Sequence, residues 1–181
     1  MPAPTLAELV DPSRTAVVTS EVQRGVVGPN SALPALAEAA APMVERVCVL
    51  CRAARAAGVR VIHATAERRA DGAGSNANAR LFLGVRRSPV QLLPGSDAVA
   101  VMPELGPEPE DLVLTRLHGL NPMAGTDLDP ILRNLGVTTI VVTGVSVNVA
   151  VTNLVMDAVN AGYQVVVPRD GVCGIPADYA A

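Results

Sequence analysis

TTIVVTGVSVNVAVTNLVMDAVNAG, residues 138–162, changes its period halfway along. Up to Gly144 it is an apolar, β-branched run, which reads as a strand buried on both faces. From 148 to 161 its apolar residues recur at helical spacing, and Gly162 closes the pattern. Between them lies GVSVNVAV, residues 144–151, a tight turn from strand to helix. That is where many α/β hydrolases place a nucleophile. The residues on offer are Ser146, Asn148, Ala150 and Thr152.

The same alternation runs outward along the chain. RTAVVTSE (14–21), VRVIHAT (59–65), DLVLTR (111–116) and YQVVVPRD (163–170) read as further strands. Residues 42–57 read as a helix with Pro42 in its first turn and Gly58 past its end, and DLDPILRNLG as another. Whole-length apolar strands joined by helical crossovers predict one α/β domain over residues 1–181. Its architecture is a three-layer α/β/α sandwich around a central, mainly parallel sheet. In such a fold the site lies beyond the carboxyl ends of the strands. Those ends are 21–25, 64–69, 116–118, 144–150 and 170–174. The segment 67–98, rich in Gly, Asn and Arg, is too long for a plain connection and reads as functional or as a subunit contact.

Bulk composition narrows the function. Half the 181 residues are apolar, aromatics are 2% and Trp is absent, so the core is built from aliphatic side chains. A net charge of −3 gives no case for nucleic acid or anionic membrane. No apolar run reaches the ~20 residues of a membrane span, and the first residues lack a signal-peptide pattern, so a cytoplasmic protein is expected. The three cysteines make no disulfide framework. Cys48 and Cys51 fall on one apolar helix stripe and read as packed thiols, and Cys173 has nothing obvious to activate it. No cofactor is expected, since both glycine fingerprints for phosphates and dinucleotides are absent.

Glu21 ends one apolar strand and Arg116 ends another. A carboxylate and a guanidinium at neighbouring strand ends read either as an ion pair satisfying two part-buried charges or as an acid/base pair in a site. His63, inside a strand, reads as packed. His118, in the loop after Arg116, is the better histidine candidate. Arg68, Arg69, Arg86 and Arg87 read as a solvated or intersubunit surface.

The order of landmarks resembles the isochorismatase-like, or cysteine hydrolase, superfamily. They are Glu21-Val22-Gln23, Pro94-Gly95-Ser96, Arg116, Gly125-Thr126-Asp127-Leu128, Gly144-Val145 through Ala150-Val151, Gly162-Tyr163 and Asp170. Together they cover about residues 14–176. The resemblance places the family's acid/base Asp at Glu21, its Lys at Arg116 and its nucleophilic Cys at Ala150. One extra residue in HGLNPMAGT leaves His118 as an alternative occupant of the cation position. Gln23, His118, Val145 and Ser146 are then expected to touch substrate. The metal set of the nicotinamidase branch is absent, so no metal is expected. In the family a further helix usually follows where this chain ends at DYAA. A C-terminal helix is therefore expected to be missing, and the apolar face it leaves to be buried in a homo-oligomer, a dimer or tetramer.

Alanine has no nucleophilic atom, so a thioester route cannot start from position 150. The resemblance still offers a precedent, because isochorismatases proper cleave a vinyl ether with Gly there. The reading is a hydrolase of a small molecule, at a vinyl-ether or C–N bond, working without a thiol. Two alternatives stand beside it. One is an inactive relative that binds a ligand or serves in an assembly. The other is a cysteine hydrolase whose Cys has been engineered to Ala.

Overall fold

The computed structural model describes residues 4–180. Its strands are β1 (Thr15–Ser20), β2 (Arg60–Ala66), β3 (Leu112–Arg116), β4 (Thr139–Val145), β5 (Gln164–Val166) and β6 (Val172–Cys173). Its α-helices are α1 (Leu6–Leu9), α2 (Arg24–Val27), α3 (Pro34–Ala56), α4 (Arg80–Arg87), α5 (Leu128–Asn134), α6 (Thr152–Asn160) and α7 (Ala177–Ala180). The strands form one sheet in the order β3-β2-β1-β4-β5, and every pairing between them is parallel. β5 runs beside Thr139–Val141, and β6 beside Gly144 and Val145, so the two short strands share one flank of β4.

Alternate residues of the central strands β1, β2 and β4 feed two cores, whereas the edge strand β3 packs only Leu112 and Leu114 and leaves Val113 and Thr115 exposed. Val17, Val61, Val141 and Val145 pack against α3 through Leu36, Ala40, Met43, Val47 and Cys51. Ala16, Val18, Ile62, Ala64, Ile140 and Val142 pack against Leu128 and Leu132 of α5 and Leu154 and Ala158 of α6. A strand covered on both sides has no polar face, hence the unbroken apolar runs.

The chain moves outward from β1 through β2 to β3, then returns to lay β4 on the other side of β1. The point where the order reverses, between β1 and β4, is where an open parallel sheet leaves a crevice at its carboxyl edge. The two strands meet there at Gly144, which pairs with Ser20 and has φ 101°. A Cβ on Gly144 would sit 2.2 Å from the Ser20 carbonyl oxygen, so only glycine fits.

Three elements differ from the sequence expectation. α3 begins at Pro34, and Pro42 lies inside it. Either proline suits a first helical turn, but the Ala-rich stretch between them is a strong helix former, and burying Leu36, Ala40 and Met43 carries the helix through the missing N–H. The segment 67–98 holds α4. The fifth strand stops at Val166, and Pro168, which has no N–H to give a ladder, separates it from β6. Among the described residues no helix is long and apolar enough to cross a membrane.

Candidate active site

Glu21 is the first residue beyond β1. It is the only non-glycine residue with positive φ (54°) among those described, and its N–H donates to the Ala64 carbonyl at 2.9 Å. This left-handed turn, which costs a non-glycine residue ~1 kcal/mol or more, directs the carboxylate across the end of β2. Arg116 ends β3 from the opposite side, and its side chain is 5% exposed. Its Nη2 donates to Glu21 Oε1, while Nε and Nη1 are buried without a partner among the described residues. The pair is therefore a charge-assisted hydrogen bond at the edge of the interior, with spare donors on the cation.

Both residues line one cavity of about 400 Å³, and Ala150 lies in its wall. Ala150 is carried by the turn after β4. There Val147–Val151 forms a single π-helical turn, closed by the Val151 N–H donating to the Ser146 carbonyl at 3.1 Å, and α6 follows. Such wide turns recur at functional sites. Ser146 and His118 also line the cavity. The Ser146 hydroxyl donates to Asn148 Oδ1, an amide oxygen rather than a base, so nothing activates it as a nucleophile. Asn148 Nδ2 in turn donates to the Ile175 carbonyl at 2.8 Å and ties the turn to the segment after β6. His118 is exposed at the rim, where a second cavity begins that shares Arg116 and Leu117.

Gln23 and Val145, expected to touch substrate, line no part of the cavity and are both fully buried. The Gln23 amide is already spent. Nε2 donates to the carbonyls of Ala66 (3.0 Å) and Val99 (2.9 Å), and Oε1 accepts from the Ala66 N–H at 2.8 Å. It fixes the end of β2 beside Glu21, a task a sequence pattern cannot tell from substrate binding. Val145 contributes its carbonyl, which accepts from the Ser20 hydroxyl at 2.9 Å.

Sequence reasoning missed the wall opposite the strand ends. It is built by α4 with Leu81, Phe82 and Val85, and by Asn76, whose Oδ1 accepts from the Gly119 N–H at 2.8 Å. The amphipathic pattern of RLFLGVRR was the available signal. Arg68 and Arg86, read from sequence as a solvated or intersubunit surface, both line the cavity, Arg68 half-buried and Arg86 exposed. Arg69 instead pairs with Asp71 at 2.7 Å.

His63 lies away from the site. Its Nδ1 is 2.8 Å from Thr19 Oγ1, and its Nε2 is 3.4 Å from Asp111 Oδ2. Burial holds its pKa below the ordinary value despite Asp111, so the ring is neutral, accepting from Thr19 and donating to Asp111. Burial also pushes the Asp111 carboxyl up, but hydrogen bonds from Arg55 and the Glu108 N–H outweigh this and leave it below its ordinary value. Burial raises the Cys51 thiol to about 11, and Cys173 is raised for the same reason; neither is poised as a thiolate. Among the described residues no three His, Cys, Asp or Glu side chains stand together as a metal site.

The isochorismatase domain family matches residues 15–181. A ureidoacrylate amidohydrolase RutB from Methylobacterium radiotolerans is 30% identical, over 89% of this chain and 67% of its own length. One from Methylorubrum extorquens is 31% identical, over 77% and 61%. The chain thus spans about two thirds, or somewhat less, of the relatives it matches. Among solved structures, a cysteine hydrolase from Pseudomonas syringae pv. phaseolicola is 29% identical with a TM-score of 0.81, covering 96% of this chain and 79% of its own. An isochorismatase family protein from Burkholderia thailandensis is 30% identical with a TM-score of 0.75, covering 94% and 84%. An N-carbamoylsarcosine amidase from Thermoplasma acidophilum, 22% identical with a TM-score of 0.72 and covering 92% and 88%, shares the fold.

Proposed function

The chain belongs to the isochorismatase family of hydrolases, and from that premise we propose that it cleaves a small molecule using Glu21 and Arg116, with no thiol nucleophile. The observation that carries this reading is the hydrogen bond between Glu21 and Arg116 in the wall of one cavity that also contains Ala150. A structural ion pair alone needs no cavity beside it.

In this reading water is the nucleophile. The short Ala150 side chain leaves room where a longer one would stand. Glu21, held as a hydrogen-bond acceptor by Arg116, is suited to take a proton from that water as its oxygen attacks a carbonyl carbon. The same proton then passes to the departing nitrogen as the C–N bond breaks, and the products are an acid and an amine. The Arg116 guanidinium acts as a fixed charge that holds Glu21 and faces developing negative charge. The amidohydrolase names of the relatives favour a C–N bond. A vinyl ether would use Glu21 in the opposite sense. The protonated carboxyl would give its proton to the enol-ether carbon, water would capture the oxocarbenium ion and return a proton to Glu21, and the resulting hemiketal would lose its C–O bond to leave a carbonyl compound and an alcohol. The limb of the pH profile separates the two. A base loses rate toward acid, and an acid loses rate toward alkali.

Turnover of amides, ureides and vinyl ethers by a Cys51→Ala variant, before and after alkylating the half-buried Cys48 and Cys173, tests the thiol-free route. The expected outcome is turnover of one class, unchanged by alkylation in a protein whose fold is intact by circular dichroism. Inactivation under the same conditions would assign the chemistry to a thiol. Ligand binding with no turnover of any class would favour the second reading, a non-catalytic relative, for which the missing nucleophile at Ala150 is the specific observation.

A further inference from the structure

The two arginines on the α4 side of the cavity are not accounted for by the chemistry above. Arg68 follows β2 by two residues, and Arg86 lies in the last turn of α4. Both line the cavity. A Cβ placed on Gly72 would stand 3.7 Å from the Nη2 atoms of both, so the two guanidinium groups converge on the same point of the loop. Arg68 is half-buried and Arg86 exposed, so water screens their mutual repulsion, and an anion lying between them would relieve what remains. Among the described residues no carboxylate does so, and neither arginine forms an ion pair. Two carboxylates of the neighbouring segments are committed elsewhere, Asp71 to Arg69 and Glu21 to Arg116. Glu67 also lines the cavity and offsets at most one of the two charges.

The pair has further unspent donors. Arg68 Nη1 donates to Gln91 Oε1, yet its Nε is buried with no partner among the described residues. The Ser75 hydroxyl, in the same wall, is likewise buried with no partner. Guanidinium forks and a hydroxyl are the groups that bind a planar or tetrahedral oxyanion in several directions at once.

We propose that Arg68, Arg86 and Ser75 form an anion subsite, and that the ligand of this cavity carries a carboxylate or phosphate at the end remote from the Glu21–Arg116 pair. Leu81, Phe82, Val85 and Leu92 then cover the apolar segment between the two ends. The substrate class is an anionic small molecule with an aliphatic or aromatic body, its scissile bond presented at the strand ends. This deepens the hydrolase reading by adding a binding group, but its test needs no turnover.

The test is calorimetric binding of hexanamide, hexanoate and hexyl phosphate at low and moderate salt. Hexanoate or hexyl phosphate is expected to bind at least ~10-fold more tightly than hexanamide, with the advantage shrinking at higher salt. Whichever of the two anions wins names the terminal group. Arg86→Gln, which breaks no hydrogen bond or ion pair among the described residues, is expected to remove most of the advantage, and Arg68→Gln/Arg86→Gln all of it, with hexanamide binding unchanged. Equal affinities in the unaltered protein would overturn the proposal. So would a preference for the anion that survives the double variant, which would move the anion to Arg116. Failure of turnover, with this pattern of binding retained, would count against the catalytic reading and leave the subsite standing.

Discussion

At Gly144 the whole site depends on a missing methyl group. Its α-carbon approaches the Ser20 backbone so closely that a Cβ has no place, and φ 101° is strained for any other residue. Because the obstacle is backbone, relaxation has to move β1 or β4. Gly144→Ala is therefore expected to lower the unfolding free energy by about 3 kcal/mol or more in urea titration, or to prevent folding. A loss below about 1 kcal/mol would mean that the two strands can separate easily. Ala150 makes the opposite kind of prediction. In a site that uses water, Ala150→Cys fills the space the water needs, and the rate on a working substrate is expected to fall by ~10-fold or more. A rate increase, with a burst and new sensitivity to alkylation, would instead mark the chain as a cysteine hydrolase lacking its thiol. Glu21 and Arg116 stood out in the sequence because each ends an apolar run, whereas Ala150 stood out only through the resemblance in the order of landmarks. Gln23 was legible only as a position. That its amide is spent on Ala66 and Val99 depends on a loop over seventy residues away in the chain.

Among the elements, the end of β2 is held by side chains rather than by sheet bonds alone. The three Gln23 hydrogen bonds join it to the segment around Val99. Gln23→Ala takes these bonds from the half-buried Ala66 N–H and carbonyl. The expected cost is about 2–4 kcal/mol by chemical denaturation, with weakened ligand binding, because Glu21 loses the neighbour that sets its turn. Binding and stability both unchanged would show that this end is fixed by other contacts. A second tie joins β1, β2, α3 and the turn before β3 through Thr19, His63, Asp111 and Arg55. The folded pKa of His63 lies below its ordinary 6.5. The unfolded chain therefore takes a proton first as pH falls. Stability is complete above about pH 6.5 and is lost as pH drops from there toward the folded value. Asp111, also depressed, acts in the same direction at lower pH, below its ordinary 3.8. Urea titrations are expected to show the unfolding free energy declining between pH 7 and 5.5, with a shallower slope in His63→Gln. A flat profile in the unaltered protein would contradict the buried neutral ring. The sequence marked His63 as packed because it sits inside a strand, but gave no sign of Asp111, which precedes its strand in an ordinary-looking turn.

For the whole molecule, the alternation of apolar runs and helical periods was enough to read a parallel sheet between helical layers. It did not give the strand order. Which side of β1 receives β4 is decided by how α3, α5 and α6 divide between the two faces, and both faces of each strand look alike in sequence. The cavity opens at the reversal of that order, between β1 and β4, with its far wall supplied by the 67–98 segment. That segment has few apolar residues for its length, so its helix and its two cavity-facing arginines were hidden among surface-like residues. The central claim rests on one carboxylate. It is tested most directly by the steady-state rate of Glu21→Gln beside that of the unaltered protein, on whichever amide, ureide or vinyl ether the latter turns over. The account predicts a loss of at least ~100-fold in kcat with ligand affinity within about threefold. A variant that keeps its rate would contradict it.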